Sequence, residues 1–233
     1  MITLNNVSFA WNKTPIIDIP SLTIEAGQHL FLEGPSGSGK STLLNLLAGV
    51  LTPQQGKITV LGQDLTQLTS SQNDQFRSNH IGFIFQQFNL IPYLSVLENV
   101  TLPCRFSRIR KQKSLQQSAT LNEEAIRLLS NLGLDNTELQ QRNVNELSVG
   151  QQQRVAAARA MIGSPDIIIA DEPTSALDAD HRDAFINSLF TECEKENITL
   201  IFVSHDSSLE AHFPVQLNLN EVNQANSSTK EVV

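Results

Sequence analysis

The chain has 233 residues, 40% of them hydrophobic and 17% charged, with a formal net charge of −8 at pH 7. This acidic balance argues against a protein that coats nucleic acid, because such a protein presents a basic surface, although a local basic site for phosphate is compatible with it. No apolar run reaches the roughly 18 residues of a membrane span, and residues 1–13 lack the pattern of a signal peptide. We therefore expect a cytoplasmic protein.

The first part of the chain predicts short strands that flank a glycine-rich loop. Strands are expected at 1–10 and 21–27, with Gly27 as a turn residue, and the apolar run 28–34 leads directly into the loop. A helix should follow, because apolar residues then recur at helical spacing, namely Leu43, Leu44, Leu47 and Ala48. Two more strands are predicted at 56–62 and 81–86.

The middle of the chain has a mostly helical pattern, from about residue 88 to residue 161. One helix ends at Gly133 and has an apolar face made by Leu121, Ala125, Leu128, Leu129 and Leu132. The basic and polar stretch 105–118 predicts a solvated loop or a frayed helix end. Cys104 and Cys193 lack metal-ligand spacing, so free thiols are expected.

The last part of the chain predicts two strands and a helix. Residues 165–172 and 198–206 are nearly continuous apolar runs, the pattern of parallel strands buried on both faces, and a helix at about 180–195 separates them. Residues 221–233 are polar and predict a flexible tail. The pattern therefore indicates an α/β core with a helical insertion between two of its strands.

The glycine-rich loop carries the clearest chemical signal. Gly34 to Ser41 spell Gly-x-x-x-x-Gly-Lys-Ser between a strand and a helix, the phosphate-binding loop of nucleotide-binding proteins. Its glycines allow backbone N–H groups to approach phosphate oxygens, and the helix start adds a positive dipole end. Lys40 should reach the β- and γ-phosphates, and the Ser41 hydroxyl should bind Mg²⁺. The predicted loop comprises Gly34, Pro35, Ser36, Gly37, Ser38, Gly39, Lys40, Ser41 and Thr42.

Polar residues close three of the predicted buried strands. Asp171 ends one strand, where its carboxylate could hold Mg²⁺, and Glu172 follows, where it could accept a proton from an attacking water. Gln86 and His205 end two others. Because open parallel sheets bind ligands at the carboxyl ends of their strands, these side chains could converge on one nucleotide.

These motifs follow one another in a fixed order: "GPSGSGKST", Gln86, "LSVGQ", "IIIADEP", "SALD" and His205. In this order they resemble the ATP-binding subunit of an ATP-binding cassette (ABC) transporter, over residues 1 to about 220. The resemblance implies a single ABC ATPase domain with a small N-terminal antiparallel β region. Its P-loop NTPase core would comprise 1–87 and 162–220, with an inserted helical subdomain at 88–161 that abuts a transmembrane subunit.

The resemblance also implies roles for residues that spacing alone leaves open. Trp11 matches the aromatic residue that stacks on adenine, with Phe9 as the alternative. Gln86 matches a residue that senses Mg²⁺, Asp178 one that communicates across a dimer, and His205 one that contacts the γ-phosphate. Such subunits form head-to-tail dimers, in which ATP lies between one phosphate loop and the partner's signature motif, here including Ser148, Gly150 and Gln151.

Within the family, the segments around 81–103 and 150–178 are similar to the group that serves lipoprotein release and macrolide-type export. This implies transmembrane permease partners and a peripheral location at the cytoplasmic face of the inner membrane. A cell-division ATPase that signals to cell-wall hydrolases is the alternative. DNA-repair cassettes carry a long coiled-coil insertion, translation factors carry two cassettes, and a small-molecule kinase has no use for the signature motif.

Val149 stands where the signature motif of the family has its first glycine. Ser148, followed three residues later by Gln151, predicts a helix capping box with Ser148 as N-cap. Val149 would then be the first helical residue and would adopt an ordinary negative φ, at a propensity cost of about 0.5 kcal/mol. We therefore expect Val149 to be tolerated, and Gly150 to be the position where a side chain would block approach to the partner's γ-phosphate.

Overall fold

The computed structural model describes residues 1–135, 142–175 and 179–226, with the backbone alone for residues 179–181 and 226. Two compact units make up the chain. One comprises Met1–Arg77 together with the residues from Ile201 onward, and the other comprises Ser78–Leu200. Among the described residues, no helix is both long and apolar enough to cross a bilayer.

The first unit begins with an antiparallel sheet of four strands in the order β2-β1-β4-β5. Alternate residues of β1 are buried because one face of the sheet is covered, and a two-residue turn at Asn12 and Lys13, both with positive φ, joins β1 to β2. The strands are β1 Ile2–Trp11, β2 Thr14–Ile24, β4 Gln55–Val60 and β5 Gln63–Asp64.

A second sheet has five strands in the order β6-β7-β8-β3-β9. Its strands are short, and all but β9 are almost wholly buried, as the apolar runs of the sequence predict. Strand β6 pairs in parallel with β7, as β3 does with β9. The strands are β3 His29–Glu33, β6 Ile81–Ile84, β7 Ile167–Asp171, β8 Thr199–Val203 and β9 Val215–Asn218. Strand β9 has no counterpart among the predicted elements.

Two helices of the chain lie next to these strands in sequence. Helix α1, Lys40–Leu47, follows β3, and its predicted apolar face is confirmed, since Leu43, Leu44 and Leu47 are all buried. Helix α2, Ser70–His80, precedes β6. A short 3₁₀ helix, Leu65–Gln67, precedes α2 and is capped by the side chain of Asp64.

The end of the chain is more structured than its polar composition predicts. Helix α9, Leu219–Val222, and a 3₁₀ turn, Gln224–Asn226, occupy the first part of the expected flexible tail. Asn223 between them is 3% exposed, and its side-chain amide bonds the backbone of Asp18 and Ile16, each at 2.8 Å. The tail prediction is therefore wrong up to residue 226, and residues 227–233 lie outside the described part.

The second unit contains most of the helices. The predicted helix with the apolar face is confirmed as α6, and Gly133, with φ 75°, follows its end. The helices are α3 Val96–Thr101, α4 Pro103–Phe106, α5 Arg108–Gln117, α6 Leu121–Asn131, α7 Val149–Met161 and α8 Ala179–Lys195.

The basic stretch 105–118 contains the end of α4 and all of α5, with a buried arginine, which corrects the expected solvated loop or frayed helix end. Arg110 on α5 is 2% exposed and donates to the carbonyls of Ile162 at 2.7 Å and Ala160 at 2.6 Å. The last carbonyls of a helix have no partner within it, so this guanidinium supplies donors at the end of α7. Burial lowers the pKa of Arg110 to about 10, which still leaves it charged at pH 7.

Candidate functional site

The predicted phosphate loop connects β3 to α1 in the first unit. Gly37 and Gly39 have φ of 79° and 100°, a backbone conformation that glycine adopts readily. A Cβ at Gly39 would lie 3.0 Å from Cδ1 of Ile17 and 3.1 Å from the Ile16 carbonyl oxygen. The residue before α1 therefore has to be glycine for both conformational and steric reasons.

The start of α1 has the properties of an anion site. Gly39 is its N-cap and offers no side-chain acceptor to the first turn, so the first N–H groups remain available to a ligand. Lys40, the first helical residue, donates from Nζ to the carbonyl oxygens of Gly34 and, at 3.1 Å, Pro35. Its charge is thus held over the loop.

Three hydroxyl residues of the loop lie where a phosphate or its metal ion would bind. Ser38 is 5% exposed, and its Oγ has no hydrogen-bond partner among the described residues. A Cβ at Gly34 would lie 2.8 Å from this Oγ, so the glycine leaves the hydroxyl unobstructed. Ser41 is exposed at the start of α1, and Thr42 beside it is half-buried. An orphaned buried hydroxyl beside orphaned N–H groups fits a bound phosphate.

Asn223 contacts this loop and is absent from the predicted site. Its side-chain Nδ2 lies 3.4 Å from the Ser38 carbonyl oxygen and donates to the Ile16 carbonyl. It thereby ties the loop to β2. An asparagine in a polar C-terminal segment gives no local signal of such a role.

The exposed His205 follows β8 and also belongs to the first unit. The residues on either side of it form a local turn, in which Asp206 N donates to the Oγ of the buried Ser204 at 3.1 Å. Asp206 then caps a 3₁₀ helix, Ser207–His212. The predicted polar neighbours of His205 thus position the backbone around it.

Trp11 ends β1 and is 50% exposed. Phe9, its alternative as the adenine-stacking residue, is 8% exposed. The two rings meet edge to face, with centroids 4.9 Å apart. Phe9 therefore packs against the indole ring, and Trp11 is the more exposed of the two aromatic residues.

The two predicted catalytic carboxylates lie in the second unit. Asp171 is the last residue of β7, whose preceding residues Ile167 to Ala170 are at most 1% exposed, while Asp171 itself is half-buried. Glu172 follows with φ 49°, a conformation that is uncommon for a residue with a side chain. This backbone turns the chain sharply after Asp171, and it places Glu172 immediately beyond the strand end.

Gln86 is exposed two residues after the end of β6 in the same unit. Phe85 before it is 37% exposed, and its ring stacks on Phe83 with centroids 5.2 Å apart. A tight turn follows, closed by a hydrogen bond of 2.9 Å from Phe88 N to the Phe85 carbonyl. The Gln86 side chain therefore extends from a short, structured turn.

The capping box predicted at the signature motif is confirmed. Ser148 is the N-cap of α7, and its Oγ accepts from Gln151 N at 3.3 Å. Gln151 Oε1 in turn accepts from Ser148 N at 2.9 Å. Val149 is the first helical residue and is 49% exposed, and Gly150 is the second. Asp178, the remaining predicted site residue, lies outside the described residues.

Comparison with known proteins is consistent with these local features. The family model described as ABC transporter matches residues 17–175. ABC transporter ATP-binding protein YtrE of Bacillus subtilis is 38% identical over 209 residues, 89% of this chain and 87% of YtrE. The lipoprotein-releasing system ATP-binding protein LolD of Shewanella denitrificans is 34% identical over 225 residues, 95% of this chain and 93% of LolD.

A solved structure gives the same result. The dimeric, post-hydrolysis structure of the ATP-binding cassette MJ0796, bound to ADP and Pi, has a TM-score of 0.78 at 31% identity. The match covers 97% of this chain and 95% of that one. Together with the phosphate loop and the capped signature helix, these similarities show that the chain belongs to the ABC transporter family, as one of its ATPase cassettes.

Proposed function

We propose that this cassette powers a membrane export or mechanotransmission transporter, as a homodimer that works with transmembrane permease subunits at the cytoplasmic face of the membrane. The observation that carries the proposal is the phosphate loop, where left-handed glycines, Lys40 and the uncapped start of α1 form an anion site. The similarity to LolD, a lipoprotein-releasing protein, supports an exporter-type role. The dimeric MJ0796 cassette supports a dimer.

ATP would bind through its phosphates and its base. The N–H groups at the start of α1 and the buried Ser38 hydroxyl would hold the phosphates, and Lys40 would exchange its loop carbonyls for the β- and γ-phosphate oxygens. Trp11 would stack on adenine, because half of its surface is exposed and its ring packs edge to face against Phe9.

Mg²⁺ would be held by oxygen ligands, which are the ligands this ion prefers. The Ser41 hydroxyl, the Asp171 carboxylate and the Gln86 side-chain oxygen are the candidates, and none of them is fully buried. When bound, the ion neutralises charge on the phosphates.

Hydrolysis would depend on Glu172 and His205. The Glu172 carboxylate would act as general base by accepting a proton from the attacking water. His205 would donate a hydrogen bond to an oxygen of the γ-phosphoryl group, whose three equatorial oxygens share negative charge in the transition state.

The signature motif would act on the nucleotide of the partner subunit in a head-to-tail dimer. The start of α7 offers N–H groups to an anion. The Ser148 hydroxyl would accept from Gln151 N in the cap and donate to the γ-phosphate. Gly150 would allow the backbone to approach, Gln151 would hold the cap, and Asp178 would communicate across the dimer.

Nucleotide binding by purified Lys40→Ala, measured by calorimetry, tests the phosphate site. We expect ATP affinity to fall by about thirtyfold or more, the loss typical of removing one partner of a charge pair. Lys57→Ala is the matched control, because Lys57 is an exposed strand lysine that pairs with Asp64. Unchanged ATP affinity in Lys40→Ala would contradict the proposal.

The transport role itself is tested by reconstitution with a candidate transmembrane permease subunit from the same organism. ATP hydrolysis that rises with an exported substrate supports transport. Hydrolysis that responds instead to a cell-wall hydrolase partner would replace transport by the signalling role of a cell-division ATPase.

A further inference from the structure

The side chain of Arg159, near the end of the signature helix α7, binds the backbone of the turn after Gln86. Its Nη2 donates to the Phe88 carbonyl and its Nη1 to the Asn89 carbonyl, both at 2.6 Å. The guanidinium thus bridges two successive carbonyl oxygens with two charge-assisted hydrogen bonds. Gln86 lies two residues before the first of them.

The turn that Arg159 holds has an unfavourable backbone. Phe88 and Asn89 have φ of 57° and 48°, and successive left-handed residues other than glycine are disfavoured unless their surroundings stabilise them. The local hydrogen bonds run from Phe88 N to the Phe85 carbonyl and from Asn89 N to the Gln87 carbonyl. They leave the two carbonyls to the arginine, so Arg159 supplies a tertiary contact that stabilises this conformation.

The backbone of Arg159 is itself firmly held. A Cβ at Gly82 of β6 would lie 2.3 Å from the Ala160 carbonyl oxygen, so strand and helix are in direct contact there. Arg110 donates to the same oxygen at 2.6 Å. Arg159 therefore extends from a helix end that is fixed on two sides. Burial lowers the pKa of Arg159, as expected for a guanidinium that is partly withdrawn from water.

We propose that Arg159 is a positioning residue for hydrolysis, which holds the turn 85–89 so that Gln86 can reach the metal ion and the attacking water. This inference rests on the proposed role of Gln86. It assigns the effect to a side chain that does not itself touch the nucleotide, since both ends of the guanidinium are engaged by backbone carbonyls of the turn.

The test compares Arg159→Met and Arg159→Lys with a control, Lys113→Met, in the purified full-length chain. Lys113 also donates to a backbone carbonyl of this unit, that of Ser164 at 2.7 Å, and in the described part of the chain it forms no hydrogen bond or ion pair with the turn 85–89. Steady-state ATPase rates give kcat and KM, and hydrogen exchange reports on the amides of residues 87–90.

Arg159→Met should lower kcat by about tenfold or more, the equivalent of one charge-assisted hydrogen bond, with KM for MgATP changed less than about twofold. Exchange at residues 87–90 should become faster. Arg159→Lys keeps the positive charge and can still donate to one of the two carbonyls, so it should recover part of kcat. Lys113→Met should leave kcat and exchange in the turn unchanged. Wild-type kcat in Arg159→Met would overturn the inference, as would an equal loss in Lys113→Met.

A double variant separates this inference from the proposed role of Gln86. If Arg159 acts through Gln86, Gln86→Ala with Arg159→Met should be no slower than Gln86→Ala alone. If the rate reductions of the two single variants multiply in the double variant, the inference is overturned and the role of Gln86 stands. A wild-type rate in Gln86→Ala would instead overturn that role, and with it the reason for positioning the residue.

Discussion

Val149 and the loop glycines show how backbone conformation sets tolerance at single positions. Val149 lies in the first turn of α7 with helical backbone, and half of its side chain is in solvent. Gly39 has φ 100° and would bring a Cβ against Ile16 and Ile17. A β-branched residue therefore costs little stability at position 149, whereas its backbone would be strained at position 39.

Exchange of side chains at the signature motif tests this distinction. Val149→Gly should change the ATPase rate by less than about twofold, because a valine in the first helical turn costs only about 0.5 kcal/mol in helix propensity. Gly150→Val should abolish turnover, since it would place a branched side chain where we propose the partner's γ-phosphate approaches. Turnover with MgATP is the measurement, and thermal unfolding confirms that both variants fold. Loss of activity in both variants, or in neither, would contradict the proposed geometry.

The helices of the second unit are joined by buried charges as well as apolar contacts. Glu124 on α6 and Glu192 on α8 are 1% and 4% exposed. Arg127 donates to both, with Nη2 2.8 Å from Glu124 Oε1 and Nη1 3.2 Å from Glu192 Oε2. The hydrogen bonds to Glu124 raise the pKa of Arg127, so this side chain stays charged and compensates two carboxylates.

Arg127→Met should therefore destabilise the protein by about 3–5 kcal/mol, because it leaves two buried carboxylates without their cation. Urea unfolding at pH 7 measures the loss. Arg108→Met is the control, because Arg108 is an exposed residue of α5, and it should change the free energy of unfolding by less than about 0.5 kcal/mol. If the two variants were equally stable, the ion pairs of Arg127 with Glu124 and Glu192 would contribute nothing to the free energy of unfolding.

A second charged contact, between α2 and the residue before β7, predicts a dependence on pH. His80 Nδ1 lies 2.7 Å from Asp166 Oδ2. Burial raises the pKa of Asp166, but the hydrogen bond with His80 and the nearby charges of Lys113 and His80 lower it more, to below its ordinary 3.8. A lowered pKa stabilises the folded state above the ordinary value, and this stabilisation is lost as pH falls through the folded value.

Asp166→Asn should make the free energy of unfolding depend less steeply on pH. Wild type should lose free energy of unfolding more steeply than the variant below pH about 4, and the two curves should converge at lower pH. Urea unfolding across this range provides the measurement. Parallel curves would show that the contact with His80 does not stabilise the ionised carboxylate.

We expect the cassette to act as a pair of identical subunits. ATP bound at one phosphate loop and capped by a partner's signature motif would hold two copies together until hydrolysis. Glu172→Gln should therefore bind ATP, hydrolyse it about a hundredfold or more slowly, and sediment as a dimer with ATP. Adding Lys40→Ala should return it to the monomer. Wild-type turnover in Glu172→Gln would exclude Glu172 as the general base.

The local patterns of the sequence predicted most of the strands and helices, and they also predicted the glycine-rich loop and the capping box that the structure contains. Buried strands, the apolar face of α6, the glycine loop and the capping box all depend on neighbours within about four residues, so their signals are contained in short segments. Strand β9 and the turn at Asn223 were missed, because a short polar segment takes its structure from distant partners, here β3 and the backbone of β2.

The glycine-rich loop, the carboxylate at the end of β7 and the capping box of α7 follow from short sequence motifs. The contacts that hold the end of α7 and the turn after β6 appear only in the folded chain. Arg110 and Arg159 lie in ordinary basic or helical stretches, yet they bind carbonyls 49 to 71 residues away in the chain. The physical reason is that backbone carbonyls at helix ends and turns require donors, and folding selects those donors by proximity in space.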